Sequence, residues 1–167
     1  MLFFPAIACS RFRSRITTCQ NNLQRLGHAL SNYSEVKGGY FPRIPISGNQ
    51  AVAGIYGPKL LDEQLLTEPT VLICPGSRMA EHMDDFRPPT LEELEKAGPA
   101  ELRIMHRTMG GSYGYSLGYR NHGHYCTPRN RGRASFALMS DAPSLHLESS
   151  QSDNHGGRGQ NVLFEDL

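Results

Sequence analysis

FRSRITTCQNNLQRLGHALSNYSEVKGGYFP, residues 12–42, decides how the rest of this chain is arranged. Apolar residues stand at Phe12, Ile16, Cys19, Leu23, Leu26, Leu30 and Tyr33. The steps alternate four and three, the interval that returns to one face of an α-helix. Gly38 and Gly39 follow, where a helix end needs residues that tolerate positive φ. Tyr40-Phe41-Pro42 then leaves in extended form, because the residue before a proline avoids the α region. The sequence predicts one long amphipathic helix, from near Pro5 or Ala6 to near Lys37. Its seam of Phe12, Ile16, Leu23, Leu26, Leu30 and Tyr33 faces the rest of the chain. Gln20, Asn21, Asn22, Gln24 and Arg25 fill the other side and read as solvent-exposed.

Outward from that helix the pattern changes. Residues 39–77 are rich in proline and glycine, with a short helix expected at 59–66 and a small strand or buried extended segment at 71–73. Residues 78–109 form a helical insert. Thr90 with Glu93 has the spacing of a capping box, Pro89 sits just outside, and a second helix resumes at Ala100. Residues 110–167 hold consecutive short strands: 112–119, where Tyr113, Tyr115, Leu117 and Tyr119 alternate with smaller residues, then 134–140 and 161–165. Residues 121–130 read as loop, and 149–159 as a polar, glycine-rich loop. A long helix, a variable middle and consecutive strands make one α+β domain, an antiparallel sheet covered on one face by the helix.

Composition narrows the function classes. The 167 residues suffice for one domain with a core, and a formal charge of +1 argues against a nucleic-acid binder driven by counterion release. The short basic runs at Arg11, Arg13, Arg15 and at Arg129, Arg131, Arg133 read as solvated faces. The apolar opening, residues 1–9, is far shorter than the roughly 20 residues of a membrane span. It resembles the tail of a longer apolar segment. The four cysteines, Cys9, Cys19, Cys74 and Cys126, lack the close spacing of a zinc ribbon or a thioredoxin motif. Cys19 on the helix seam and Cys74 before Pro75 are a candidate disulfide in an oxidising compartment. The competing reading makes Cys19 a small buried apolar residue.

Two blocks match a known pattern. The first is Cys19-Gln20-Asn21-Asn22-Leu23 with Leu26-Gly27, Ala29-Leu30, Tyr33 and Gly39-Tyr40-Phe41-Pro42. The second runs from Asn154-His155-Gly156-Gly157 to Phe164-Glu165-Asp166. Cys74-Pro75-Gly76 and Tyr113-Gly114-Tyr115-Ser116 lie between them. Together they resemble the bacterial prepilin-type, pseudopilin-like (type II secretion protein G-like) domains. The closer likeness is to a branch of unknown function with a C-terminal His-to-Asp-Gly signature. The resemblance implies an N-terminal membrane helix processed by a prepilin peptidase, and a periplasmic or surface-exposed sheet domain. It also implies envelope localisation and partners of the pilin or envelope type, assembled through the helix. The family's processing motif is absent, and the chain stops at Asp166-Leu167 where the family continues with Asp-Gly and a strand. The reading therefore expects truncation at both ends, and a membrane association only through a missing N-terminal segment. As written, it expects a soluble chain.

No residue is assigned a catalytic, cofactor or metal role. His155-Gly156-Gly157-Arg158 is a candidate anion-binding loop, using backbone N–H groups and the Arg158 fork, against the alternative of a tight glycine turn. His122, His124, Asp141, His155 and Asp166 have metal-ligating side chains but are too sparse in acids for a calcium loop. Cys74, Cys126 and the serines have no activating motif around them. Tyr113, Tyr115 and Tyr119 read as core residues in preference to a stacking platform. The expectation is a non-enzymatic, pseudopilin-like envelope protein with a structural, assembly or secretion-related role. The alternative is a soluble regulatory or ligand-binding module on a truncated pseudopilin scaffold.

Overall fold

The computed structural model describes residues 3–144 and 151–167. Met1 and Leu2 of the apolar opening, and Ser149 and Ser150 of the polar loop, lie outside the described residues. The long helix, α1, runs Phe3–Val36. It ends at Gly38 and Gly39, with φ of 66° and 87°. There the Gly39 N–H donates to the Ser34 carbonyl at 2.7 Å and satisfies one of the orphan acceptors of the last turn. Leu23, Leu26, Leu30 and Tyr33 are buried, as the seam requires, together with Cys19 and Ala29. Phe12 and Ile16 are not: they are only half-covered, so the buried seam begins at Cys19. Residues 3–18 extend the helix by about 24 Å at roughly 1.5 Å per residue, and from Ile7 to Thr18 every other side chain is exposed.

The polar side of α1 is less idle than its sequence suggests. Asn22 donates to the Ile73 carbonyl at 3.0 Å, Gln20 to Asn161 at 3.2 Å, and Arg25 pairs with Glu68 at 2.9 Å. These contacts tie three separate loops to the helix.

The middle of the chain departs from expectation in two places. α2 spans Tyr56–Asp62 and not 59–66; Pro58 fits its first turn, where a missing N–H is harmless. The apolar run at 71–73 is no strand. Pro69 opens a 3-10 turn, Pro69–Leu72, that buries Val71 and Leu72. Further 3-10 turns follow at Arg78–Asp85, kinked at His82. α3, Leu91–Lys96, starts as predicted. Thr90 Oγ1 accepts from the Glu93 N–H at 3.1 Å, and Glu93 accepts from the Thr90 N–H at 2.7 Å. α4 spans Pro99–Thr108. The insert closes a small core of its own around Ile55, Leu94 and Met109, all wholly buried.

The sheet is antiparallel, in the order β1 (Tyr113–Tyr115), β4 (Ala137–Asp141), β5 (Val162–Phe164). Tyr113 faces Asp141, and Met139 stands between Tyr115 and Leu163. The architecture is thus α+β, with the C-terminal half of α1 packed on β5. Gly27 permits that approach, since a Cβ there would lie 2.5 Å from Leu167 and 3.0 Å from Leu163. The main core joins Leu26 and Leu30 of α1 to Phe41, Leu72, Leu138 and Leu163. Burying a leucine fully contributes roughly 1.5–3 kcal/mol.

The predicted strand 112–119 is two strands. Gly118, at φ 96°, breaks it, and residues read as loop form a hairpin, β2 (Tyr119–Asn121) with β3 (His124–Cys126). Its two-residue turn, His122-Gly123, has positive φ at both positions, the twist that matches paired strands. Tyr113 and Tyr115 are core residues as expected, but Tyr119 is exposed on the hairpin. Below it, the loop carrying Arg131 and Arg133 is pinned to the last strand by the buried Glu165. That carboxylate accepts from the backbone N–H groups of both arginines, at 2.8 and 3.1 Å, and from the Arg133 guanidinium at 2.5 Å. Burial alone would raise the Glu165 carboxyl. These donors outweigh it and hold the group below its usual range.

Candidate functional site

The fold brings four distant, buried residues to one point. Cys19 comes from α1. Cys74 follows the turn Pro69–Leu72, Asp141 ends β4, and His155 closes the 3-10 turn Asp153–His155. One sulfur, nitrogen or oxygen from each lies within 4.8 Å of all the others. Cys19 Sγ donates to Asp141 Oδ1 at 2.9 Å, His155 Nε2 lies 3.0 Å from Asp141 Oδ2, and Cys74 Sγ lies 3.9 Å from the same nitrogen.

Local chain geometry sets each group. The Cys74 N–H donates to Ser112 Oγ at 2.6 Å, which anchors that loop to the start of β1. Gly76 places its N–H 3.4 Å from Cys74 Sγ, and a Cβ there would strike the Asn154 carbonyl oxygen at 2.1 Å. Asp141 accepts from the Asn161 N–H at 2.6 Å and from Asn161 Nδ2 at 3.0 Å, with Asn154 Nδ2 at 3.4 Å. The Tyr113 hydroxyl stands 3.4 Å from Cys19 Sγ. The two thiols answer each other. Hydrogen bonding with Cys74, then burial and the nearby Asp141, push the Cys19 thiol up. The hydrogen bond from Cys19 leads in drawing the Cys74 thiol down.

The sequence-predicted pair Cys19 and Cys74 therefore does meet, but as two free thiols and not a disulfide. Of the five side chains with metal-ligating chemistry, Asp141 and His155 join them. His122 and His124 lie exposed on the β2–β3 hairpin, and Asp166 is exposed near the C-terminus. The anion-loop reading of His155-Gly156-Gly157-Arg158 is corrected. The N–H groups of Gly156, Gly157 and Arg158 donate to the carbonyls of Asp153, Ser152 and His155, and His155 itself turns inward. Gly156 and Gly157, at φ 62° and 69°, serve the tight turn. Asn154 and Asn161, which orient the carboxylate, escaped sequence reasoning, although both sit in the block that carries the family resemblance.

Cysteine, histidine and aspartate in one cluster suggest an activated thiol, but the geometry is wrong for a relay. A relay grips the imidazole through its two different nitrogens. Here thiol and carboxylate both face Nε2, while Nδ1 is buried without a partner among the described residues. All four residues are buried. The arrangement can bind a small ion or link α1 to the sheet.

A second feature lies at the other end of the sheet. An open cleft of about 1030 Å³ is lined by Tyr33, Tyr40, Tyr119, Tyr125, Arg129 and Arg133, among others. Tyr40, Tyr119 and Tyr125 are about half exposed. Arg129 stacks on the Tyr40 ring at 4.9 Å and donates to the Gly38 carbonyl at 3.1 Å.

No family model, curated protein or solved structure matches the chain. Among the described residues, no helix is long and apolar enough to cross a membrane.

Proposed function

We propose that the chain is a non-enzymatic, pilin-like envelope protein whose α1 is the assembly element. One observation supports this most: α1 is two helices in function. Its C-terminal half is buried from Cys19 onward, whereas residues 7–18 are mostly exposed and touch the domain through Phe12, whose ring meets His155 edge-on at 6.5 Å and lies under the Arg158 guanidinium at 5.2 Å. A helix that needed only to cover the sheet would end where the sheet does. Some 18 Å of further helix, carrying half-exposed Ile7 and half-covered Ile16, suits packing against helices of neighbouring subunits. The fold-spanning sequence blocks point the same way by resemblance to pseudopilins.

The test uses Cys9, exposed on the free half of α1. Thiol-specific crosslinking in intact cells that make the chain should give a covalent dimer in the membrane fraction, lost in Cys9→Ser. Recovery of the chain only as an uncrosslinkable, soluble monomer would overturn the reading. A second reading, a ligand-binding module, draws on the tyrosine–arginine cleft, whose chemistry suits an acidic sugar polymer. Saturable binding of oligogalacturonate by calorimetry, lost in Tyr119→Ala with Tyr125→Ala, would favour it.

A further inference from the structure

The geometry points to Cys19, Cys74, Asp141 and His155 as a closed, structural site for a divalent ion of the zinc class. This goes beyond the assembly role and does not depend on it. Two thiols, an imidazole and a carboxylate are a zinc-type donor set, and four protein ligands with no open position mark a structural site. Zinc–ligand bonds of about 2.0–2.3 Å in a tetrahedron put ligand atoms roughly 3.3–3.8 Å apart. The four ligand atoms lie within 4.8 Å of one another, with contacts of 2.9 and 3.0 Å to the two oxygens of Asp141 and 3.9 Å between Cys74 and His155, so closing the tetrahedron takes side-chain shifts of up to about an ångström.

The polar surroundings support the same assignment. His155 Nε2 lies 3.0 Å from a carboxylate oxygen and 3.0 Å from the Asn161 amide nitrogen. The Asn161 amide has its own acceptor in Asp141 Oδ2 at 3.0 Å, so the Nε2 lone pair is free for an ion once the ring carries no proton there. An ion between the donors takes the lone pair and the carboxylate together. Each sulfur also has a donor beside it, the Tyr113 hydroxyl for Cys19 and the Gly76 N–H for Cys74. Such donors stabilise metal-bound thiolates, and Asn161 and Asn154 fix the Asp141 carboxylate. Metal-bound imidazoles usually pass their second N–H to an acceptor. Nδ1 has none among the described residues, so the site binds less tightly than a fully supported one and a strong chelator empties it.

On binding, both thiols lose their protons to solvent and the sulfurs donate electron pairs to the ion. No redox change occurs. The site and a Cys19–Cys74 disulfide exclude each other, since both use the same sulfurs. The deciding experiment has two parts. The chain purified from its own cells, with thiol-blocking reagent and without chelator or reductant, is analysed for metal and by intact mass. Stoichiometric zinc with both thiols retained is the expected result. A Cys19–Cys74 disulfide, lighter by two hydrogens, overturns the proposal, as does reduced protein without metal. In the second part, cobalt(II) is added to the chelated, reduced chain. Intense visible bands of a tetrahedral ion, with sulfur-to-cobalt charge transfer, are expected. They should persist in Cys9→Ser and Cys126→Ser and vanish in Cys74→Ser. Because Cys74→Ser could unfold, the wild-type spectrum is itself decisive: a weak, octahedral spectrum on folded protein refutes the site.

Discussion

Replacing Leu26 by alanine tests whether α1 is anchored chiefly through its C-terminal half. Leu26 is wholly buried in the cluster that holds Leu30, Phe41, Leu72 and Leu138. Leucine-to-alanine changes at such sites cost about 2–5 kcal/mol, from lost transfer energy plus a cavity that neighbours fill only in part. A value of about 3 kcal/mol is a large share of the stability of a domain this size, which is on the order of 10 kcal/mol. It should lower Tm by roughly 6–12 °C, at about 2–4 °C per kcal/mol. The matched change on the free half is Ile7→Ala. Ile7 is 49% exposed, so the change should fall within about ±0.5 kcal/mol. Alanine's better helix propensity works slightly in its favour. Urea denaturation with circular dichroism at 222 nm, run on both variants and the wild type, reads the difference at constant m. Equal losses for the two variants, or a larger loss for Ile7→Ala, would refute the two-halved helix and with it the geometric basis for assembly.

Glu165 should make stability acid-sensitive. Its folded carboxyl titrates below the unfolded value of 4.5, so its contribution is complete above that pH and is lost as pH falls through the lowered folded value. Glu165→Gln should flatten the acid limb of the Tm–pH curve and cost about 1–3 kcal/mol at neutral pH; an unchanged acid limb would count against the pinned arginine loop. Thr90→Ala removes half of the capping box and should cost about 1 kcal/mol, visible as faster hydrogen exchange at the Glu93 amide. Gly111→Ala puts a Cβ 1.9 Å from the Leu72 carbonyl oxygen at φ 66°. It should lower Tm well beyond Gly123→Ala, where a Cβ meets nothing and the positive φ costs about 1 kcal/mol. Similar losses would mean that the 110–111 backbone has room to move.

Where the sequence reading succeeded, the signal was local. The four-three seam of α1, its glycine exit, the Thr90–Glu93 box and the strand at 161–165 each depend on residues within a few positions. The reading slipped where tertiary contact overrides local pattern. The run Val71-Leu72-Ile73 looks like a strand because it is apolar, but Pro69 biases the chain to a turn, and the run's backbone meets the sheet only where the Leu72 carbonyl accepts from the Ser112 N–H at 2.9 Å. The β2–β3 hairpin was missed because its strands, YRN and HYC, are polar and exposed, so no burial period marks them. Its His-Gly turn was the available signal. Phe12 and Ile16 obey the helical interval as well as Leu23 does. Periodicity states which face a residue occupies, but not whether anything lies opposite that face.

The four-residue cluster was beyond any spacing rule. Cys19 and Asp141 are 122 positions apart, and Cys74 and His155 are 81 apart. Zinc motifs that announce themselves place paired ligands on one hairpin or one helix, a few residues apart. Here each ligand comes from a different element, and the pairing exists only after α1 lies on the sheet. That dependence also gives the cluster its mechanical meaning. From Ile7 onward, Cys19 is the first buried residue of α1, where the anchored half meets the more exposed half. Any tie through its sulfur, by ion or by disulfide, clamps the helix at the point where leverage from the projecting half is greatest. Pulling or bending that half would strain first the Cys19 contacts and only then the leucine seam. A Cys19→Ala variant should therefore lose protection from hydrogen exchange first at residues 19–26, ahead of the sheet. Uniform loss across α1 and the sheet would mean that the cluster is only one more part of the core, and not the clamp at its edge.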